Sequence, residues 1–378
     1  MTAGKSTGLG LIGCGAFGKF CLQAYSTLPD VRIAAVCDVR RDAADSLAAV
    51  FNVPAVYKPA ELFARKDVDL VHLATPPSSH HELVLAAVAA GKHCLCEKPL
   101  AMNIAQADAM LAAATPAGRI VPVNFVLRYN AVTDAVKAII DGGVLGKVLS
   151  ARLTNCASDS QLGANHWFWD RSVSGGIFIE HGVHFFDLYR HWLGAGRVIS
   201  AHTEFREGTD QQDRVTCEIR HANGAIASHY HGFDQVGPLD RTDHRLVCEL
   251  GDIRVGGWIP LTLTVDALVD DGGADALAAC APGCSTDVVE HFSGEYTETR
   301  GRGRTRRVTQ RVRLGYTPNP DKPAAYANSV RDLLADQLAY LRAAEHPRRV
   351  SEDNGRAAVA LAEAAARLAA GTTDTSGA

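Results

Sequence analysis

The sequence predicts an α/β chain in two parts: a parallel sheet covered by helices, then a mostly antiparallel sheet. Three observations carry this. Over the first 125 residues, short apolar runs alternate with amphipathic stretches, the pattern of βαβ units. From Val148 onward, strand-like runs follow one another with few helical stretches between them, which calls for antiparallel pairing. Between the first apolar run and the first helix lies a glycine-rich turn, Gly13-Cys14-Gly15-Ala16-Phe17-Gly18.

The elements follow in order. Leu9–Ile12 is a strand, and Phe17–Leu28 a helix stopped by Pro29-Asp30. Val31–Cys37 is a strand ending at Asp38. Arg41–Phe51 and Pro59–Arg65 are helical, Leu70–Ala74 is a strand, and His80–Ala90 is a helix closed by Gly91. His93–Cys96, Asn103–Ala114 and Ile120–Phe125 read as strand, helix and strand, and Tyr129–Ile140 as a helix. Then Val148–Cys156, Val198–Phe205, Val215–His221, Ala225–Tyr230, His244–Leu250 and Leu261–Val269 read as strands, interrupted by a helix at Gly182–Leu193. Asp270–Ser285 is rich in Gly, Ala and Asp and reads as a surface loop. Two Ala-rich helices close the chain, at Ala324–Ala344 and Ser351–Ala370. Ser351 and Asn354 mark the start of the second and Gly371 its stop.

Composition bounds the function. With 378 residues, two domains and a sizeable core are expected. The 38 Lys+Arg and 42 Asp+Glu leave a net charge of -4, which excludes a globally basic nucleic-acid or membrane-surface binder. No run reaches about 18 apolar residues, and Met1 to Gly8 lacks the apolar stretch of a signal peptide. A cytoplasmic protein is therefore expected. Cys14, Cys21, Cys37, Cys94, Cys96, Cys217 and Cys248 sit in apolar patterns and read as small core residues. Cys94-x-Cys96 and Cys280-x-x-x-Cys284 lack a second pair at zinc spacing, and no metal is expected.

Gly13 to Gly18 fits G-x-G-x-x-G in its proper context of strand, turn and helix. The first glycine allows the turn, the second a close pyrophosphate, and the third close helix–strand packing. With Gly13, Gly15, Ala16, Phe17 and Gly18 at the helix N-terminus, an anion is favoured there. Asp38 stands where a carboxylate accepts the ribose hydroxyls, which selects NAD. Arg40 and Arg41 leave NADP open, since an arginine here binds a 2′-phosphate. Asp38 also reads as a cap for the helix it precedes.

Thr75-Pro76-Pro77 through His80 ends the third strand, at the edge where ligands bind open α/β sheets. Glu97-Lys98-Pro99 ends the fourth, where Pro99 holds Lys98 extended. A positive nicotinamide ring beside Lys98 favours the neutral amine, which then works as a general base or acid. Glu180 and His184, flanking a helix start in Glu180-His181-Gly182-Val183-His184, read as a carboxylate for substrate hydroxyls and a proton relay. The spacing of His181, His184 and Asp187 also admits a metal, but no further ligand lies at fixed spacing. Trp167 and Trp169 offer flat indole faces, and read equally as packing.

Taken together, Gly13–Gly18, Thr75-Pro76-Pro77 with His80, Glu97-Lys98-Pro99, Arg128-Tyr129-Asn130 and Gly175-Gly176 to His184 resemble, in order, the Gfo/Idh/MocA family of sugar and polyol oxidoreductases. That family includes glucose–fructose oxidoreductase and the inositol dehydrogenases. The resemblance spans nearly the whole chain. It implies a Rossmann domain at 8–128 that binds NAD or NADP through the glycine turn, Asp38, Arg40, Thr75, Pro76, His80, Glu97 and Lys98. It implies an α+β domain at 129–370 with a large open, mostly antiparallel sheet for substrate binding and oligomerisation, and a tail at 371–378.

The resemblance also implies Lys98 as catalytic acid/base with His184 and Glu180, and Arg128, Tyr129, Trp167 and Trp169 at the substrate. Glu180 stands where the family has aspartate, Asn130 where proline is frequent, and Ser174 precedes two glycines where three are common. The implied reaction moves a hydride between nicotinamide C4 and a secondary alcohol or ketone of a sugar, polyol or cyclitol. The alternatives are a glycosidase using transient oxidation, and a non-catalytic NAD-binding regulator. A broad sheet with an apolar face implies a homodimer or homotetramer. The arginines between Arg300 and Arg313 alternate with Val308, Val312 and Leu314 and read as one basic strand face. His229-Tyr230-His231 reads as a strand end.

Overall fold

The computed structural model describes residues 6–371. The expected tail lies, beyond Gly371, outside the described residues, as do the first five residues. The chain forms two compact units. The first takes residues 6–129, 164–187 and 326–363; the second takes 130–163, 188–325 and 364–371. The chain leaves and re-enters the first unit; the sequence places the division near 128, with the C-terminal helices crossing back to brace the first domain.

The first unit opens with β1 (Thr7–Ile12), α1 (Ala16–Tyr25), β2 (Val31–Cys37), α2 (Arg41–Phe51) and β3 (Ala55–Val56). Next come α3 (Pro59–Phe63), β4 (Leu70–Leu73), α4 (His80–Ala89), β5 (His93–Cys96) and α5 (Ile104–Ala114). The strands form a parallel sheet in the order β3-β2-β1-β4-β5. Helices cover both faces of such a sheet, so its strands are apolar along their whole length. Accordingly β4 and β5 are buried at every position. Cys21, Cys37, Cys94 and Cys96 fill this core as thiols, and burial raises the thiols of Cys37 and Cys94 to about 12. Cys14 is only half-buried.

Ile120–Phe125, expected as a strand, is irregular. It runs beside β5 through Cys94 N–H to Ile120 O, Cys96 N–H to Pro122 O and Asn124 N–H to Cys96 O. Pro122 has no N–H with which to continue the ladder, so only a single bridge, Cys96 to Val123, remains. The short β3 was not expected.

The second unit begins with α6 (Ala131–Gly142) and β6 (Val148–Ser158). After α7 (Arg171–Ser174) and α8 (Val183–Leu193) come β7 (Gly196–Phe205), β8 (Gln212–His221), β9 (Ile226–Gln235), β10 (Arg241–Cys248), β11 (Gly251–Gly256) and β12 (Thr262–Val269). Then follow α9 (Gly273–Ala279), β13 (Ser285–His291), the hairpin β14 (Glu298–Gly301) and β15 (Arg304–Arg307), and β16 (Gln310–Tyr316). Helices α10 (Lys322–Arg342) and α11 (Glu352–Ala369) end the described chain, with Ser351 N–H bonded to the Asn354 side chain at the start of α11.

Nine strands form one sheet in the order β13-β16-β12-β11-β10-β6-β9-β8-β7, antiparallel except for β6 with β9. Three expectations change here. The apolar face of the sheet is buried: Leu153, Leu246, Ile253, Val265, Val312 and Leu314 are each 0% exposed. The open face is polar and laced with pairs such as Arg245–Asp252–Arg254 and Arg311–Asp266–Arg313. It therefore does not supply the apolar surface from which oligomerisation was argued. The segment expected as a loop after Asp270 contains α9, where Ala and Leu favour helix. His229 and His231 lie within β9 and not at a strand end.

The basic stretch divides between the exposed β14–β15 hairpin and β16. On β16, Val312 and Leu314 point inward while Arg311 and Arg313 pair with Asp266.

The buried face also carries His229, His231 and His244, against Tyr189. Burial drives the pKa of His231 and His244 down to about 3. An unfolded histidine takes a proton near pH ~6.5, so the unfolded chain binds more protons below that pH. Stability is then complete above it and falls as pH drops toward 3. At pH 5 each of the two costs about 2 kcal/mol. We expect the melting temperature to fall between pH 7.5 and pH 5, and His244→Phe to flatten that dependence. An equally steep dependence in the variant would show that the buried imidazoles are not its source.

Candidate active site

The glycine turn is built as a dinucleotide cradle requires. Gly13 has φ +99°, and a Cβ there would lie 2.2 Å from Ala74 O. A Cβ on Gly18 would lie 2.2 Å from Gly13 O, so α1 packs on β1 only without one. A Cβ on Gly15 meets nothing within 4 Å, which leaves the open space a pyrophosphate would fill. Gly15 is also the N-cap of α1 without a side-chain cap, and no acidic residue lies in the first turn, so the helix end keeps its positive field.

Asp38, 8% exposed, directly follows β2. Its Oδ2 accepts the Cys14 N–H at 2.9 Å and its Oδ1 the Arg40 N–H at 2.9 Å. It braces the glycine turn and is not the side-chain cap of α2, whose N-cap is Arg40. The Arg40 side chain is exposed, with Nε 3.5 Å from Asp38 Oδ1, and Arg41 stacks on Tyr57. The donor set thus fits a dinucleotide with free ribose hydroxyls. Phe17 packs with Phe20 and Tyr326 along α1.

Two loops leave the C-terminal ends of β4 and β5. In the first, the Ser79 hydroxyl bonds Thr75 Oγ1 and Pro76 O, closing the turn Thr75–Ser79. His80 follows, fully buried, between Pro99 O and Thr75 O. In the second, Glu97 is buried, and its Oε1 accepts Asn124 Nδ2 at 2.6 Å and His72 Nε2–H at 2.8 Å. His72 and Asn124 carried no sequence signal. Cys21, His72 and Glu97 form the one group among the described residues whose donor atoms gather within 4.8 Å as a metal site would. The bonds to Glu97 account for that gathering.

Lys98 reaches Glu180. Its Nζ donates to Glu180 O at 2.9 Å and to Glu180 Oε1, with the lysine side chain 18% exposed. Glu180 and His184 lie one turn apart where a π-turn, Phe178–Gly182, runs into α8. Such wide turns recur at functional sites because they re-aim side chains. His184 is buried, its ring edge-on to that of His181 at 6.2 Å. The structure thus joins Lys98 to Glu180, 82 residues away in sequence, with His184 about one helical turn further along the chain.

Other candidates are engaged elsewhere. Arg128 donates Nε and an Nη to the two oxygens of Asp187 at 2.7 and 2.8 Å, both residues being buried. Asn354 donates to the same carboxylate at 3.0 Å. This removes Asp187 from any metal set with His181 and His184, and draws Arg128 away from the expected substrate contact. The Tyr129 hydroxyl donates to Asp336 at 2.5 Å, and burial raises its pKa well above the usual range. It too is spent inside the unit. Trp169 is buried edge-on against Phe168, whereas Trp167 stays half-buried beside His166. Their segment runs on into α7, which lies against the turn Pro77–Ser79.

A glycine cradle, a ribose-facing carboxylate and a lysine at the strand ends define an NAD-binding Rossmann oxidoreductase domain. Comparison with known families agrees. Residues 7–125 match the oxidoreductase family with an NAD-binding Rossmann fold, and residues 133–254 match the GFO/IDH/MocA C-terminal domain. The chain belongs to the Gfo/Idh/MocA family.

Among relatives, a myo-inositol 2-dehydrogenase of Thermotoga maritima is 32% identical over 187 residues, 49% of this chain and 54% of that protein. An inositol 2-dehydrogenase of Gluconacetobacter diazotrophicus is 34% identical over 208 residues, covering 54% and 59%. The chain thus spans little more than half the length of these curated relatives. A levoglucosan dehydrogenase solved with NADH and levoglucosan shares the fold, with TM-score 0.76 and 21% identity over 98% of both chains.

The Arg128–Asp187 pair supports a stability test. Removing one partner of a buried ion pair strands the other charge, at about 3–5 kcal/mol. Asp187→Ala should lose that much in denaturant unfolding. A loss under about 1 kcal/mol, the range of an exposed pair, would show that water reaches Arg128.

Proposed function

We propose that the protein is an NAD-dependent dehydrogenase or reductase acting on a secondary alcohol, or its ketone, of a sugar, polyol or cyclitol. The observation that carries this is the convergence of Lys98 on Glu180, beside His184, in the unit that holds the glycine cradle. A carbinol must lose a hydride and a proton to become a carbonyl, and the bound nicotinamide supplies the hydride acceptor.

The chain's own residues manage the proton and the pose. Gly13 to Gly18, the α1 N-terminus and Asp38 hold the dinucleotide, with Thr75, Pro76 and Glu97 at the strand ends that would flank its nicotinamide half. The Lys98 amine takes the hydroxyl proton in oxidation and returns it in reduction. Glu180 holds Lys98 in place and offers carboxylate oxygen to substrate hydroxyls. His184, on the same face one turn later, passes the proton onward. Trp167 keeps enough exposure to stack on the C–H face of a sugar. An uncharged polyol suits a protein with a net charge of only -4, since it needs no electrostatic steering. The inositol and sugar specificities of the relatives support this substrate class.

The test is Lys98→Met, screened with sugars and cyclitols against NAD and NADP. Turnover should fall about 10²- to 10⁴-fold, the usual worth of a positioned acid–base group, while NADH binding stays within about twofold. Undiminished turnover would remove Lys98 from the mechanism. Sugar consumed without net change in reduced nicotinamide would point instead to transient oxidation in a glycosidase.

A further inference from the structure

His80 opens α4 with no exposed surface. Its Nδ1 lies 2.7 Å from Pro99 O and its Nε2 lies 2.9 Å from Thr75 O. Both neighbours are backbone carbonyls, which only accept. A neutral imidazole carries one N–H and one lone pair. Either neutral tautomer would therefore press a lone pair against a carbonyl oxygen at one of these distances. Only a ring protonated on both nitrogens donates to both. The two lengths also fall where charge-assisted bonds fall, at or below the usual N–H···O distance.

We propose that His80 is held as an imidazolium that clamps the loop after β4 to the loop carrying Lys98, and so acts as a positioning residue for Lys98. Its role in positioning rests on the reading of Lys98 given above; its protonation state does not.

The charges around the ring are Glu97 and Lys98. Burial lowers the His80 pKa, and Lys98 acts in the same direction; the Pro99 and Thr75 carbonyls and the Glu97 carboxylate raise it. Losing the proton would relieve the buried charge. It would also turn one short donor contact into a lone-pair contact within a fully buried site. The clamp joins Thr75 to Pro99, and Pro99 adjoins Lys98. The direction in which Lys98 extends toward Glu180 thus depends on both ends being held.

The test uses the whole apoprotein, labelled with ¹⁵N in the histidine rings and ¹³C in the backbone carbonyls, at pH 7.5. A free histidine, with pKa ~6.5, is about 90% neutral there. We expect one ring with both nitrogens protonated, showing couplings across hydrogen bonds to the carbonyl carbons of Thr75 and Pro99. Those couplings identify His80 without any variant. A neutral pattern on the ring coupled to either carbonyl, or no ring with two protonated nitrogens, would overturn the proposal.

His80→Gln, which can donate to only one carbonyl in this geometry, gives a second readout. The kcat should fall on the order of 10- to 100-fold, as for a misplaced catalytic group, with the NADH Kd changed less than about twofold. A fall in NADH affinity with kcat unchanged would count against positioning of Lys98. If no polyol is turned over by the wild type, the function reading fails while the ring spectrum still decides the imidazolium.

Discussion

Arg128 and Asp187 meet where almost no water reaches, and each needs the other. A guanidinium presents two parallel N–H groups to a carboxylate in one geometry only, so the pair fixes orientation as well as distance. Asn354 adds a third bond to the same carboxylate. Three stretches far apart in sequence, around residues 128, 187 and 354, are thereby tied within one unit. The tie lands on α8, three residues after His184 and seven after Glu180. Glu180 and His184 are thus held, within one unit, by an ion pair to which neither belongs. Further polar ties repeat the arrangement: Tyr129 to Asp336, Arg348 to Glu352, and Glu352 to the Val121 N–H.

With α8 fixed, the approach of Lys98 becomes a matter of the loop after β5. Lys98 sits between two carboxylates of different character. Glu180 meets its ammonium directly. Glu97, one residue earlier, is buried and is bound by His72 and Asn124. Just past β5 the chain passes from the buried Glu97 to Lys98, whose side chain is 18% exposed and meets Glu180. Glu180 reaches the lysine with the extra methylene that separates it from aspartate, and gives it a carbonyl oxygen as well. In the free protein the lysine is therefore already directed.

Much of this was legible in the sequence because local rules acted alone. The glycine turn, β2 and β5 emerged where expected, since a parallel strand is simply a short apolar run between breakers. Asp38, Lys98, Glu180 and His184 stand out in the sequence because their neighbours set them at element ends, and the structure joins Lys98 to Glu180. What could not be read depends on tertiary contact. Nothing local distinguishes Arg128 as an ion-pair partner from Arg128 as a substrate ligand; the difference is Asp187, 59 residues away. His72 and Asn124 look like ordinary residues beside apolar runs. Pro122 broke a strand that Ile120, Val121, Val123 and Phe125 all favoured, and an alternating β-rich half reads alike whichever face is covered.

Asp38 shows how a single carboxylate couples two of these levels. One of its oxygens accepts the Cys14 N–H inside the glycine turn, and the other accepts the Arg40 N–H beyond β2. The shape of the phosphate cradle and the start of α2 are thus set by the residue that would meet the ribose. A carboxylate oxygen has more than one lone-pair site, so hydrogen bonds to backbone do not exhaust it, and the adenosine hydroxyls can complete the set. A 2′-phosphate would bring its charge against Asp38, with the Arg40 side chain 3.5 Å from that carboxylate as the nearby counter-charge. Where this carboxylate sits is fixed by the backbone of the glycine turn itself, through the Cys14 N–H.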